Sequence, residues 1–355
     1  MSQLGASHNE VILPPETPPE YYPELPREVD DDCITHDRIL PQPDGIVSLM
    51  VGFNKAIQIY MTMQSLVGYE LHYGLTTLDW ELQMSILDAG LTSVKPLVTP
   101  ENLPEVLRVQ FIPTPSAIAS VWDQAPGFGY VAPAFPNPQP SNDIRLFWQR
   151  EPGKKRLLQY EIQKTNIYTS WLATRSFYVE RFLTLRDERR QAVQQTAQQS
   201  QIAIYRMPPD TSHVGTAAIE EMEPEPDAML GLKFEAEREA VVQDLMTVLL
   251  SIPQRNMEPN GASLINKIRQ VASTLLNDTS TRKGPVMQKN EAYLSQFLHI
   301  LTRLEKTGPP AGSRSSDHTS DEPMTAEEEE EELRSWADLR DYQDAFIRSG
   351  GFARP

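Results

Sequence analysis

The placement of proline constrains this chain more than any other feature. Prolines account for 30 of its 355 residues, against about one in twenty in average proteins, and they are clustered. Each ring fixes φ and removes a backbone N–H, so a continuous helix can run only where prolines are absent. Eight fall in the first 43 residues (Pro14, Pro15, Pro18, Pro19, Pro23, Pro26, Pro41, Pro43) and nine from Pro100 to Pro140. Those two stretches read as extended leading segment and loop.

The windows between the clusters carry helical spacing. Met50, Phe53, Ile57, Tyr60 and Met61 recur at steps of three and four, which predicts a helix over 46–73, bent near Gly68, with that stripe laid on a core. Leu78, Leu82, Ile86 and Leu87 repeat the pattern in a shorter helix that Gly90 is expected to end, because glycine accepts the left-handed cap conformation cheaply. Leu103 to Val109 reads as a helical turn. No proline follows Pro152 as far as Arg190; Leu158, Ile162, Ile167, Trp171, Tyr178, Phe182 and Leu185 there point in more than one direction, predicting a long, largely buried helix. Three further patterns follow. Phe234, Val241, Leu245, Val248 and Ile252 stop at Pro253; Leu264, Ile268, Val271 and Leu275 begin after Gly261; Tyr293, Phe297, Ile300 and Leu304 close at Gly308.

Alternation with period two is almost absent, so the expected fold is all-α: an irregular multi-helix array with proline-rich loops and disordered N-terminal, linker and C-terminal segments. The organisation read from composition is an extended or disordered segment over 1–26 and a helical region over 27–190. A Gln/Pro/Glu-rich linker over 191–230 leads to a three-helix segment over 231–306, then a disordered linker over 307–326 and an acidic amphipathic tail over 327–355.

Charge and cysteine content narrow the chemistry. The net charge of −17 repels nucleic-acid phosphate. A single cysteine, Cys33, rules out a disulfide scaffold and any zinc site built on several thiolates. No apolar run reaches the length of a membrane helix. Gly127-Phe128-Gly129-Tyr130-Val131-Ala132 formally fits a dinucleotide fingerprint, but Pro133, Pro136, Pro138 and Pro140 forbid the helix whose N-terminus must meet the phosphates. No phosphate-loop, nucleophile-elbow or zinc-protease motif is present. Asp30, Asp31 and Asp32 with His36 offer metal-type donors, yet three adjacent acids suit a helix start better. His8, His72, His213, His299 and His318 stand apart in sequence. Lys154, Lys155 and Arg156, and Arg186, Arg189 and Arg190, read as solvated ends of the long helix. We therefore expect no catalytic, metal or DNA-binding residues and no enzyme.

Three segments together carry a family likeness. They are Pro23-Glu24-Leu25-Pro26-Arg27-Glu28-Val29-Asp30-Asp31-Asp32-Cys33-Ile34-Thr35; the run from Leu157 to Tyr168; and Asn256-Met257-Glu258-Pro259-Asn260-Gly261 leading into Ile265 to Ala272. In this order they resemble the regulatory, or middle homology, region of fungal binuclear zinc-cluster transcription factors. The resemblance implies a nuclear protein that controls gene expression through contacts with the transcription machinery or co-regulator proteins, as a monomer or a dimer. It also implies that zinc and DNA contacts belong to an N-terminal six-cysteine cluster absent from this chain, which holds no cofactor itself. Such a chain would be a fragment or shortened form of a longer regulator, with apolar surface left bare over 27–190. An all-helical scaffold or adaptor unrelated to transcription is the alternative, and a helical enzyme a third.

The C-terminal 35 residues hold eleven acids, six of them consecutive from Glu327 to Glu332. Leu333, Trp336, Leu339, Tyr342 and Phe346 then recur every three or four residues, so a helix gathers them on one side. Acid-rich sequence with such aromatics is the composition of amphipathic activation segments, which fold as they dock in a partner's groove. The same five residues equally suit a last helix packed back on the body.

Overall fold

Neither proline nor glycine occurs between Gly153 and Pro208, so no local signal stops a helix there. The result dominates the molecule. The computed structural model describes residues 24–72, 79–109, 154–205, 228–276, 285–305, 330–331, 333–335 and 337–338. Their elements are α1 (Leu49–Met61), α2 (Gln64–His72), α3 (Trp80–Val94), α4 (Lys155–Tyr205), α5 (Ala228–Ser251), α6 (Gln254–Met257), α7 (Gly261–Thr274) and α8 (Pro285–Glu305), followed by helical turns within 330–338. Short 3-10 turns lie at Asp31–Cys33, Lys95–Val98, Glu105–Leu107 and Glu258–Asn260. Among the described residues the fold is all-α; the one strand-like pairing is an isolated bridge between Ile34 and Ile39. The leading segment to residue 23, the proline-rich stretch 110–153 with its glycine fingerprint, and residues 206–227 and 306–329 lie outside the described residues.

The 51-residue helix α4 is about 75 Å long at 1.5 Å per residue, and its two halves live in different surroundings. No residue from Leu158 to Leu183 is exposed, because α1, α3, α5 and α7 all pack along this half. Ile167, Leu172, Tyr178 and Phe182 are completely buried, and Phe182 stacks on Phe234 of α5 with ring centroids 3.9 Å apart. Buried hydroxyls on this half satisfy themselves locally: Thr169 donates to the Thr165 carbonyl at 2.7 Å. Beyond Arg186 every position to Gln198 is exposed. The expected linker beginning at residue 191 is therefore corrected: 191–205 continue the helix. Glutamine, alanine and arginine are good helix formers, and a helix polar all round reads from composition like a linker.

The stripe assigned to the core of the first helix is also corrected. Phe53 is 51% and Tyr60 46% exposed, whereas Ala56 and Ile59 are buried with Gly52 and Asn54. Gly52 and Ala56 lie one turn apart, and without bulk there α1 can approach α4 closely: a Cβ on Gly52 would strike the Gln163 side chain. The expected single helix over 46–73 is two. Thr62 hydrogen-bonds the Ile59 carbonyl through its hydroxyl, and its own carbonyl accepts from Tyr178 at 2.6 Å, so the break falls there and Gly68 sits inside α2.

Gly90 does not end α3, which continues to Val94. It is a contact glycine: a Cβ there would collide with the Tyr178 ring, so hydrogen at this position lets α3 lie on α4. At Gly261 the backbone requires glycine, with φ of +55° where the Glu258–Asn260 turn enters α7. The three C-terminal helices fall where their spacing places them. They do not form a unit of their own: Phe234, Val241, Leu245, Ile268 and Phe297 belong to one apolar cluster with Ile59, Leu87 and Leu172. Covering the first half of α4 takes helices from both halves of the chain.

Candidate functional site

Of the five tail residues expected to face a partner, the structure describes one. Leu333 is 0% exposed and belongs to the core cluster. Trp336, Leu339, Tyr342 and Phe346 lie outside the described residues. Ala337, one turn beyond Leu333, is 7% exposed, while Glu331, Arg334, Ser335 and Asp338 are exposed. Alternating burial at i and i+4 is the signature of a helix seated on the body by one edge. On its outer side Arg334 pairs with Glu330 at 2.6 Å.

Among the described residues a buried charge cluster lies at the middle of α4 and escapes sequence reading. Arg175, whose side chain is 4% exposed, donates through Nε to Glu237 Oε1 at 2.7 Å and through Nη1 to Asp244 Oδ2 at 2.9 Å. Lys95, at the end of α3, reaches the other Glu237 oxygen at 2.6 Å. Trp171 covers the guanidinium with its ring 4.3 Å away and donates its indole N–H to the Val94 carbonyl at 2.9 Å. Burial alone raises the Glu237 carboxyl, but Arg175 and Lys95 outweigh it and hold the carboxyl below its ordinary range. A carboxylate kept ionised by two cations is a weak proton acceptor at neutral pH. Its chemistry here is to lock α3, α4 and α5 to one another.

A second clasp joins the loop 24–48 to the start of α4. Asp30 accepts from the Gln42 amide at 2.7 Å, the Leu49 N–H at 3.0 Å and the Ser48 hydroxyl at 3.2 Å, and pairs with Arg156. Burial raises this carboxyl, while Gln42, the Leu49 N–H, Arg156 and Ser48 together bring it below its ordinary range. Of the acidic run only Asp30 caps a helix, and that helix is α1, 19 residues further on, not one that starts at the run; Ser48 shares the work by accepting from the Met50 N–H. His36 is almost fully exposed beside Asp37, and Asp31 and Asp32 face solvent. Among the described residues no three His, Cys, Asp or Glu side chains are grouped to hold a metal ion, and no helix is long and apolar enough to cross a membrane.

The two basic groups are corrected in part: Lys154, Lys155, Arg189 and Arg190 are exposed, as expected of solvated residues, whereas Arg156 and Arg186 are half-buried and make internal ion pairs. Arg156 holds Asp30. Arg186 donates to Glu235 at 2.8 Å, and Arg189 lies over the Trp80 ring at 4.5 Å. Because α4 runs on to Tyr205, these arginines mark where it leaves the core rather than where it stops. His299 is exposed on α8.

The three segments carrying the family likeness meet around the first turns of α4. Asp30 of the first grips Arg156, directly before the second. Asn260 of the third donates to the Ile162 carbonyl at 3.4 Å, and Lys267 to Asn166 at 2.8 Å. No family model, curated protein or solved structure matches the chain. Its function must be argued from its own residues.

Proposed function

We propose that this chain is the regulatory part of a fungal nuclear transcription factor, acting through protein contacts, with its acidic C-terminus as an activation segment. The observation that carries the reading is the convergence just described. Three segments separated by 121 and 87 residues resemble successive parts of one regulatory region, and they pack together around residues 156–166 of α4. Acidity suits the same reading, since a chain of net charge −17 relies on another domain to contact DNA. The tail adds the composition of an acidic activator.

The direct test fuses the whole chain to an unrelated DNA-binding domain that has no activating function of its own. Reporter output several-fold above that of the DNA-binding domain alone is expected, and replacing Trp336 and Phe346 together by alanine should remove most of it. Output unchanged in either direction, with the fusion present in the nucleus, overturns the proposal.

A further inference from the structure

The tail has two uses for the same leucine. Leu333 belongs to the apolar face that an acidic activation helix offers its partner, yet here it is completely buried in the protein's own core. One side chain cannot fill both places. We propose that the tail is partly autoinhibited: Leu333 and Ala337 seat it on the body, and a partner engages the tail in competition with this seat, which lowers the output of the whole chain without abolishing it. The inference rests on the reading of the tail as an activation segment.

The geometry of the seat favours reversible release. Its described anchor is one leucine and one methyl group on a single edge, while Glu331, Arg334, Ser335 and Asp338 remain in water. The sequence leading into it carries six consecutive glutamates, Glu327 to Glu332, whose like charges repel one another. The Arg334–Glu330 pair favours the helical form whether or not the seat is occupied. Between Glu305 at the end of α8 and Glu330 lie 24 residues, which can extend to roughly 80 Å. The tail can therefore move to a partner while α8 stays in place. Regulation of this kind is a competition between two surfaces for one apolar edge.

The experiment uses the full chain, alone and as the reporter fusion. Ala337→Glu places a charge in the seat and leaves Leu333 and the aromatics intact; Ala337→Ser is the milder variant if the first disturbs the body, judged by its thermal midpoint. Amide hydrogen exchange at 330–338 should be slow in the parent and at least tenfold faster in the variant, with reporter output raised several-fold. Exchange already unprotected in the parent overturns the inference, because no seat then exists. A loosened seat with unchanged output overturns it as well, and the Trp336→Ala, Phe346→Ala double variant shows which idea has failed. If that variant still lowers output, the tail activates but is not restrained; if it has no effect, the activation reading falls too.

Discussion

The two halves of α4 obey the same local rules and end in opposite environments. Both lack proline and glycine, and both consist largely of residues that tolerate a helix. From Leu158 to Leu183 the helix is the axis of the core; from Asp187 to Gln198 it is wet on every side. The first half is held by burial and by charge pairs such as Arg175 with Glu237. The second persists on propensity and on continuity with a helix already nucleated, since extension is far easier than initiation. Helix identity is thus set by what interrupts a sequence, whereas stability is set by what packs against it.

The largest way to break this comparison is proline placed in each half. Ala173→Pro, amid the packed turns, should prevent folding, because the loss of a hydrogen bond and the ring clash cannot be relieved there. Ala197→Pro should lower helical ellipticity while leaving the urea midpoint within experimental error. A shared loss of stability would show that the outer half is part of the cooperative core.

Next in size is Arg175→Ala, which leaves Glu237 buried with only Lys95 as partner and should cost about 3 kcal/mol in urea unfolding. Its counterpart in the outer half, Gln194→Ala, should stay within about 0.5 kcal/mol. Gly90→Ala probes the close approach of α3 to α4. The added methyl meets the Tyr178 ring, so a loss of about 1–3 kcal/mol is expected.

Smaller still is the response to pH, which belongs to the packed half alone. Glu237 and Asp30 sit below their ordinary values of 4.5 and 3.8. Their contribution is complete above those values and is lost as pH falls through the lower folded-state values. Tryptophan fluorescence should report weakening in that acid window, reduced in Glu237→Gln. Burial pushes the Tyr178 hydroxyl from 10.0 up to about 12. Its contribution is full below pH 10 and fades as pH rises to 12; burial raises the Tyr168 and Tyr160 hydroxyls as well, so Tyr178→Phe should reduce that alkaline loss rather than remove it. No such dependence should appear in the ellipticity of the outer half.

Much of this architecture is legible in the sequence, for physical reasons that also explain the misses. Phe234, Val241, Leu245 and Val248 fix α5 because one face of it is buried and the rest is not, which is the case that periodicity detects. Met50, Phe53, Ile57 and Tyr60 mislead because the buried positions of α1 are Gly52, Asn54, Ala56 and Ile59, with Gly52 against Gln163 of α4, and small or polar residues carry no hydrophobic signal. Residues 191–198 mislead for the opposite reason: a solvated helix and a linker share a composition. The Arg175 cluster is invisible because its partners lie 62 and 69 residues away, and only the folded chain brings them together. In the tail, spacing identifies an amphipathic edge at Leu333 but does not say whether a partner or the protein's own core receives it.

The central claim is that α4 is one continuous helix, core from Leu158 to Leu183 and exposed on every side from Asp187 to Gln198. Residue-resolved amide hydrogen exchange on the intact chain tests it most directly. Amides from 160 to 185 should exchange only through global unfolding, with a common free energy. Those from 190 to 205 should exchange at least ~100-fold faster yet slower than an unstructured chain, as expected of helix opened by local fraying. Uniform protection to residue 205, or no protection at all beyond 186, would contradict the account.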